Sequence, residues 1–252
     1  MALFHGLEGS SSSPYARGIA ARAIALGWRC VVPHFRGCSG ELNRLPRAYH
    51  SGDSAEIGWI LNALSKKTDD LFGCGISLGG NALLKYLGEQ GDRAVIRKAV
   101  SISAPLDLAA AGRSLDAGLS REIYTRIFLR SLKRKTLEKI TRQKISVDAL
   151  RLRRARTFWE FDDTVTAPLH GFLGADDYWA RSSSGPWLSK IRIPTLVINA
   201  RNDPFMPEAA LDAIGKVPPN VVLEFPRTGG HAGFPGRGGW LAKRVLEFLS
   251  AP

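Results

Sequence analysis

The pentapeptide Gly75-Ile76-Ser77-Leu78-Gly79 constrains this chain more than any other feature. It stands between an apolar run at 71–74, which reads as a buried strand, and a run at 81–87 that reads as a helix. A serine on so tight a strand-to-helix turn needs glycines on both sides, because the backbone bends sharply and neighbouring side chains would clash. The turn lifts the hydroxyl clear of the sheet, above a helix N-terminus that favours negative charge. Such a serine is placed as a nucleophile for acyl transfer. The pentapeptide alone recurs by chance, so the rest of the chain must supply its partners.

A serine hydroxyl is a weak nucleophile at neutral pH and needs a base within hydrogen-bond reach. The base in turn needs a carboxylate to orient it and to stabilise the imidazolium that forms. Behind such elbows the chain order is serine, acid, histidine. Here an apolar, β-branched strand at 193–200 leads into Arg201-Asn202-Asp203-Pro204, and a strand at 221–225 leads into Thr228-Gly229-Gly230-His231. Catalytic groups of open α/β sheets gather at the carboxyl ends of strands, so Ser77, Asp203 and His231 are the expected triad. Taken singly, Asp203 reads equally well as a turn residue before Pro204, and His231 as a loop histidine. Order and position favour the triad. Asp107, after a strand at 99–102, is the reserve for the acid.

The oxyanion of a tetrahedral intermediate needs backbone N–H donors. One expected donor is Leu78, the residue after the serine. The other is Leu7, in the loop His5-Gly6-Leu7-Glu8-Gly9 that follows an early strand. The side chain of His5 is expected to support this loop rather than to perform chemistry.

With these parts in place the chain resembles an α/β-hydrolase of the YheT-like branch, the AB hydrolase 4 family. The matching stretches are HGLEGSSSSPYARG at 5–18, HFRGCSGELNRLPRAYHSGD at 34–53 and GCGISLGGNALLKYLGE at 73–89. RRARTFWEFDDTVTAPLHGF at 153–172, PTLVINARNDPFMP at 194–207 and PRTGGHAGF at 226–234 complete the set. The resemblance implies a serine esterase or lipase-type hydrolase, with the triad on Ser77, Asp203 and His231. It also implies that some relatives pass the acyl group to an alcohol instead of water. Members of the fold begin with further strands, which this sequence lacks ahead of residue 5; the resemblance therefore predicts an uncovered edge strand at 28–33 and a chain that is a fragment. Arg36, His50 and Asp53 fall in a matched stretch and are expected to order the walls of the site, with contact to substrate as the alternative.

At 252 residues and 44% hydrophobic content the chain can bury one sizeable core. Alternating strand and helix signals predict a mostly parallel sheet with helices on both faces. The expected helices run from Pro14 to about Leu26, stopped by Gly27; from Asp53 or Ser54 with Ile57, Ile60, Leu61 and Leu64 on one face; and over 240–249. The whole of 1–252 is expected to be one domain, with 1–110 and 188–252 as core and about 111–187 as an inserted helical cap. The reason is length: about ninety residues separate the strand near 103 from the one near 195, where the fold needs one helix. Ile123, Tyr124, Ile127, Phe128 and Leu132 recur there at helical spacing and are expected to pack against the core or line an acyl pocket.

Cys30, Cys38 and Cys74 give an odd count without C-x-x-C spacing, which offers neither a disulfide framework nor a zinc site. Cys30 and Cys74 read as small buried hydrophobes. A reducing compartment fits, which places the protein in the cytoplasm. His5, His34, His50 and His170 have no metal-ligand spacing, and no metal or cofactor is expected. No apolar run approaches the roughly 20 residues of a membrane span.

The net charge is +12. Between residues 121 and 157, thirteen Lys or Arg face three acidic residues, so ten of those charges lie in the cap. Most such runs are solvated helical faces. Peripheral contact with an anionic membrane is the next reading, because an ester hydrolase meets lipid. Nucleic acid comes last, since no binding motif accompanies the charge. The expected activity is hydrolysis of carboxylic esters with short or medium acyl chains. An acyltransferase and a non-catalytic module acting through the basic cap are the alternatives.

Overall fold

The computed structural model describes residues 1–235 and 239–251. Its sheet has five strands among these residues: β1 (Ala2–Phe4), β2 (Phe72–Ile76), β3 (Lys98–Ile102), β4 (Thr195–Ile198) and β5 (Val221–Glu224). Their spatial order is their sequence order, and every ladder is parallel. Parallel pairing needs crossovers, and helices supply them. These include α1 (Pro14–Ala25), α2 (Ser54–Ser65) and α3 (Leu78–Gln90), while α6 (Trp240–Ser250) follows β5.

The chain reverses direction across the sheet at β1. It first runs outward through α1 to an extended segment whose Val31 bridges Ala2 on the far side of β1, then returns through α2 to β2 on the near side. That reversal places α1 on one face and α2 on the other. One core cluster packs Leu3, Cys74, Val100 and Ile198 against Ile19 of α1 and Val245 of α6. The second packs Phe4, Ala99 and Val197 against Ile57 of α2 and Leu83 of α3. Alternate residues of the strands serve opposite faces, so the sheet is buried on both sides.

The expected strand at 28–33 is shorter than its sequence suggests. It is held by three bonds, Leu3 N–H to Val31 O at 2.8 Å, Val31 N–H to Met1 O at 2.9 Å and the Met1 amino group to Arg29 O at 2.8 Å. β1 offers only three residues for pairing, and Pro33 has no N–H to extend the ladder.

Between β3 and β4 the described chain forms helices joined by short loops, without a strand. The segment begins with α4 (Leu108–Leu115) and continues through Gly118–Ser120 and a π turn at Arg121–Thr125 into the long α5 (Arg126–Gln143). Shorter helices follow, including Phe158–Phe161, a π turn at Asp162–Thr166 and Ala175–Ser182. Among the described residues no helix is long and apolar enough to cross a membrane.

Only one face of α5 is buried. Phe128 and Leu132 pack inward as expected, but Ile123 and Ile127 are exposed, which corrects the expectation that all five apolar residues at helical spacing turn toward the core or pocket. A helix lying over a core covers it with a single stripe, and these two residues fall outside that stripe.

Candidate active site

Ser77 lies at the end of β2 with φ +52° and ψ −120°, a left-handed conformation that costs a residue with a Cβ about 1–3 kcal/mol. Two bonds hold it there: its N–H donates to Ile102 O at 2.7 Å and its carbonyl accepts from Asn81 N–H at 2.9 Å. The flanking glycines are required by space. A Cβ on Gly75 would come within 2.6 Å of Gly79 O, and one on Gly79 within 2.5 Å of Phe4 O.

The structure brings Ser77, His231 and Asp203 together. Ser77 Oγ lies 3.0 Å from His231 Nε2, and His231 Nδ1 lies 2.9 and 3.1 Å from the two oxygens of Asp203. A carboxylate accepts only, so Nδ1 carries the proton and Nε2 presents its lone pair to the serine hydroxyl. Asp203 is buried, and its Oδ1 also accepts from Phe205 N–H at 2.8 Å. The ring of Phe205 lies against the imidazole, centroids 3.9 Å apart.

The loop carrying His231 is tied down by residues the sequence did not single out. Asn202 Oδ1 accepts from both Gly229 and Gly230 N–H at 2.9 Å, and Ser103 Oγ accepts from Ala232 N–H at 3.1 Å. Asn81 does the same for the helical insertion. Its amide donates to Ser51 O at 2.9 Å and Ser182 O at 2.8 Å, and accepts from Ser184 N–H at 3.0 Å. A turn asparagine and a helical asparagine carry no signal that distinguishes them from solvated ones.

Leu7 and Leu78 both border the cavity beside Ser77. Leu78 opens α3, so its N–H has no intrahelical acceptor. The amides on either side of Leu7 are engaged, Gly6 N–H with Tyr15 Oη at 3.0 Å and Glu8 N–H with Tyr49 Oη at 2.9 Å. Among the described residues neither the Leu7 nor the Leu78 amide has an acceptor. His5 is buried beneath this loop; Nδ1–H donates to Gly6 O at 2.8 Å and Nε2 accepts from Phe35 N–H at 3.1 Å. Burial holds its pKa below the ordinary imidazole value.

Asp107 stands apart from this cluster and caps α4, accepting from Ala110 N–H at 2.9 Å. Arg36 pairs with Glu56 at 2.6 Å, while Asp53 caps α2 and pairs with Arg47. His50 forms part of the cavity wall, and burial lowers it to about 3.

The cavity has a volume of about 580 Å³. Core loops contribute Leu7, Ser77 and His231, and the helical segment between β3 and β4 contributes Leu108, Phe128 and Phe158. One buried carboxyl interrupts this lining. Asp162 accepts from Thr166 Oγ1 at 2.6 Å and Trp179 Nε1 at 2.8 Å, yet burial pushes it up to about 7. Apart from its place in a matched stretch, nothing local to Asp162 marks it as a buried carboxyl of the site.

The family model of the α/β-hydrolase fold matches residues 1–236. YheT of Escherichia coli (strain K12) is 38% identical over 265 residues, covering 99% of this chain and 76% of that protein. Phospholipase ABHD3 of Homo sapiens is 30% identical over 92% of the chain, and monoacylglycerol lipase of Saccharomyces cerevisiae 30% over 98%. The chain spans 58% of the length of each of these two. An esterase of Exiguobacterium antarcticum shares the fold, with a TM-score of 0.62 at 14% identity over 100% of this chain and 92% of that one. The chain therefore belongs to the α/β-hydrolase fold family, on its YheT-like branch.

Proposed function

We propose that this protein hydrolyses carboxylic esters of short or medium acyl chains through an acyl-enzyme on Ser77. The observation that carries the reading is the relay Ser77–His231–Asp203, at 3.0 and 2.9 Å, opening on an apolar cavity. Ser77 Oγ attacks the ester carbonyl while His231 Nε2 takes its proton, and Asp203 stabilises the imidazolium. The Leu7 and Leu78 amides hold the oxyanion. The tetrahedral intermediate collapses as His231 returns the proton to the leaving alcohol. Water, deprotonated by His231, then attacks the acyl-enzyme, and the Ser77 ester bond breaks as His231 returns the proton to Ser77 Oγ and the acid leaves.

The helical insertion acts as a cap over the site, with Phe128, Leu132 and Phe158 forming the wall that faces the core loops. A volume of about 580 Å³ falls within the usual range for small-molecule pockets and has room for an acyl chain. Relatives named for phospholipase and monoacylglycerol lipase activity support an ester or lipid substrate. Three free thiols fit a reducing compartment, so we place the protein in the cytoplasm.

A series of chromogenic esters of increasing acyl length, with Ser77→Ala in parallel, tests the reading. Activity in the native protein and its loss in the variant are expected; a folded native protein inert on the whole series would overturn it. Product analysis with added ethanol separates acceptors: free acid alone identifies water, and ethyl ester identifies the acyltransferase alternative.

A further inference from the structure

The helical run 118–143 has two faces with opposite roles. Its inner face reaches the candidate active site: Tyr124 packs edge-on against Phe205 at 4.9 Å, Phe205 lies on His231, and Phe128 and Leu132 line the cavity. Thr125 Oγ1 ties the π turn to Leu115 O at 2.7 Å. Its outer face carries Leu119, Ile123 and Ile127, four residues apart and 80%, 49% and 64% exposed. The same side continues along α5 with Arg126, Arg130 and Arg134. All three are exposed, and among the described residues none has a hydrogen-bond or ion-pair partner.

Aliphatic side chains left in water on a stripe flanked by unpaired arginines form an interfacial pattern. The surface is the outer side of a helix whose opposite side packs on the candidate active site. Its exposed apolar residues are aliphatic, so they offer no stacking platform for bases. Arg126, Arg130 and Arg134 give this face a positive field, whereas Lys135 and Lys139 of the same helix turn inward to Glu8 and to Asn43, Pro46 and Arg47.

We propose that this face docks the protein on an anionic lipid surface. Leu119, Ile123 and Ile127 enter the headgroup–acyl boundary, and Arg126, Arg130 and Arg134 meet lipid phosphates. The helix that touches the bilayer is the one that lines the cavity, so docking sets the cavity wall against the source of substrate. This last consequence rests on the hydrolase reading; the docking itself does not.

Sedimentation of the full chain with vesicles tests it, using phosphatidylcholine alone and phosphatidylcholine mixed with phosphatidylglycerol. Binding is expected to the anionic vesicles, to weaken at high salt, and to be slight to neutral ones. The double variants Ile123→Asp/Ile127→Asp and Arg126→Glu/Arg130→Glu should each lower vesicle affinity by about tenfold or more. Thermal unfolding and turnover of a soluble short-chain ester should stay native in both. Equal binding of native and variant proteins, or no native binding, overturns the proposal. Self-association of the native chain without vesicle binding also overturns it, in favour of a contact between copies. If vesicles are bound in this way while no soluble ester is cleaved, the docking stands and the hydrolase reading fails.

Discussion

Lys135 of α5 donates to the Glu8 carboxylate at 2.9 Å, one residue beyond the Leu7 amide. Ser131 of the same helix and Tyr49 also donate to that carboxylate, and the Glu8 backbone is held at φ +56°. The helical insertion is thus fastened to the loop that presents a proposed oxyanion donor. Glu8→Gln or Lys135→Met should loosen the Leu7 amide without altering the cavity walls. The expected result is kcat on a soluble ester lowered roughly tenfold, about 1.4 kcal/mol of transition-state stabilisation, with KM within about twofold. Lys135→Arg, which preserves the ion pair, should restore most of the rate. A change in KM alone would show that the contact only shapes the pocket.

The backbone of Ser77 stores strain that glycine does not feel. Ser77→Gly should abolish ester hydrolysis while raising stability by roughly 1 kcal/mol, seen as a melting temperature higher by about 2–4 °C. Ser77→Ala should lose the same activity without that gain, because alanine keeps a Cβ at φ +52°. Calorimetry on the two variants separates strain from the loss of the hydroxyl.

Asp162 gives the fold a defined pH dependence. Its pKa is raised to about 7 in the folded protein by burial, above the ordinary carboxylate value that applies when unfolded. The native state therefore binds this proton more tightly. The stabilisation is fully present below about pH 4 and is lost as pH rises through about 7, at no more than about 1.4 kcal/mol per pH unit. Comparing unfolding free energies of the native protein and Asp162→Asn across pH 4–8 isolates the group. Their difference should shift against the native protein up to about pH 7 and then level off. A difference that stays flat would show an ionised carboxylate throughout.

The order of Ser77, Asp203 and His231 along the chain, each just past a strand, made their meeting legible without coordinates. The strand ends lie in one row because the sheet is parallel, and the structure joins residues 154 and 28 positions apart. Their supports were not legible. Asn202 and Asn81 act through bonds to residues at least 27 positions away, and a side chain that reaches across the fold looks locally like any polar residue. The Glu8–Lys135 pair spans 127 positions and was hidden inside a run of charge. Helical spacing identified the apolar residues of 123–132 but not which of them face outward. That depends on where the helix lies over the core. The edge strand that the resemblance predicts at 28–33 is reduced to a bridge at Val31, because β1 is only three residues long.

The central claim is that Ser77 is a nucleophile activated by His231. Its most direct test is mass-spectrometric mapping of the adduct formed with a fluorophosphonate, with His231→Ala measured alongside. One adduct per chain on Ser77 is expected, forming at least about a thousandfold more slowly in the variant. A folded protein that stays unmodified, or is modified at another residue, would contradict the account.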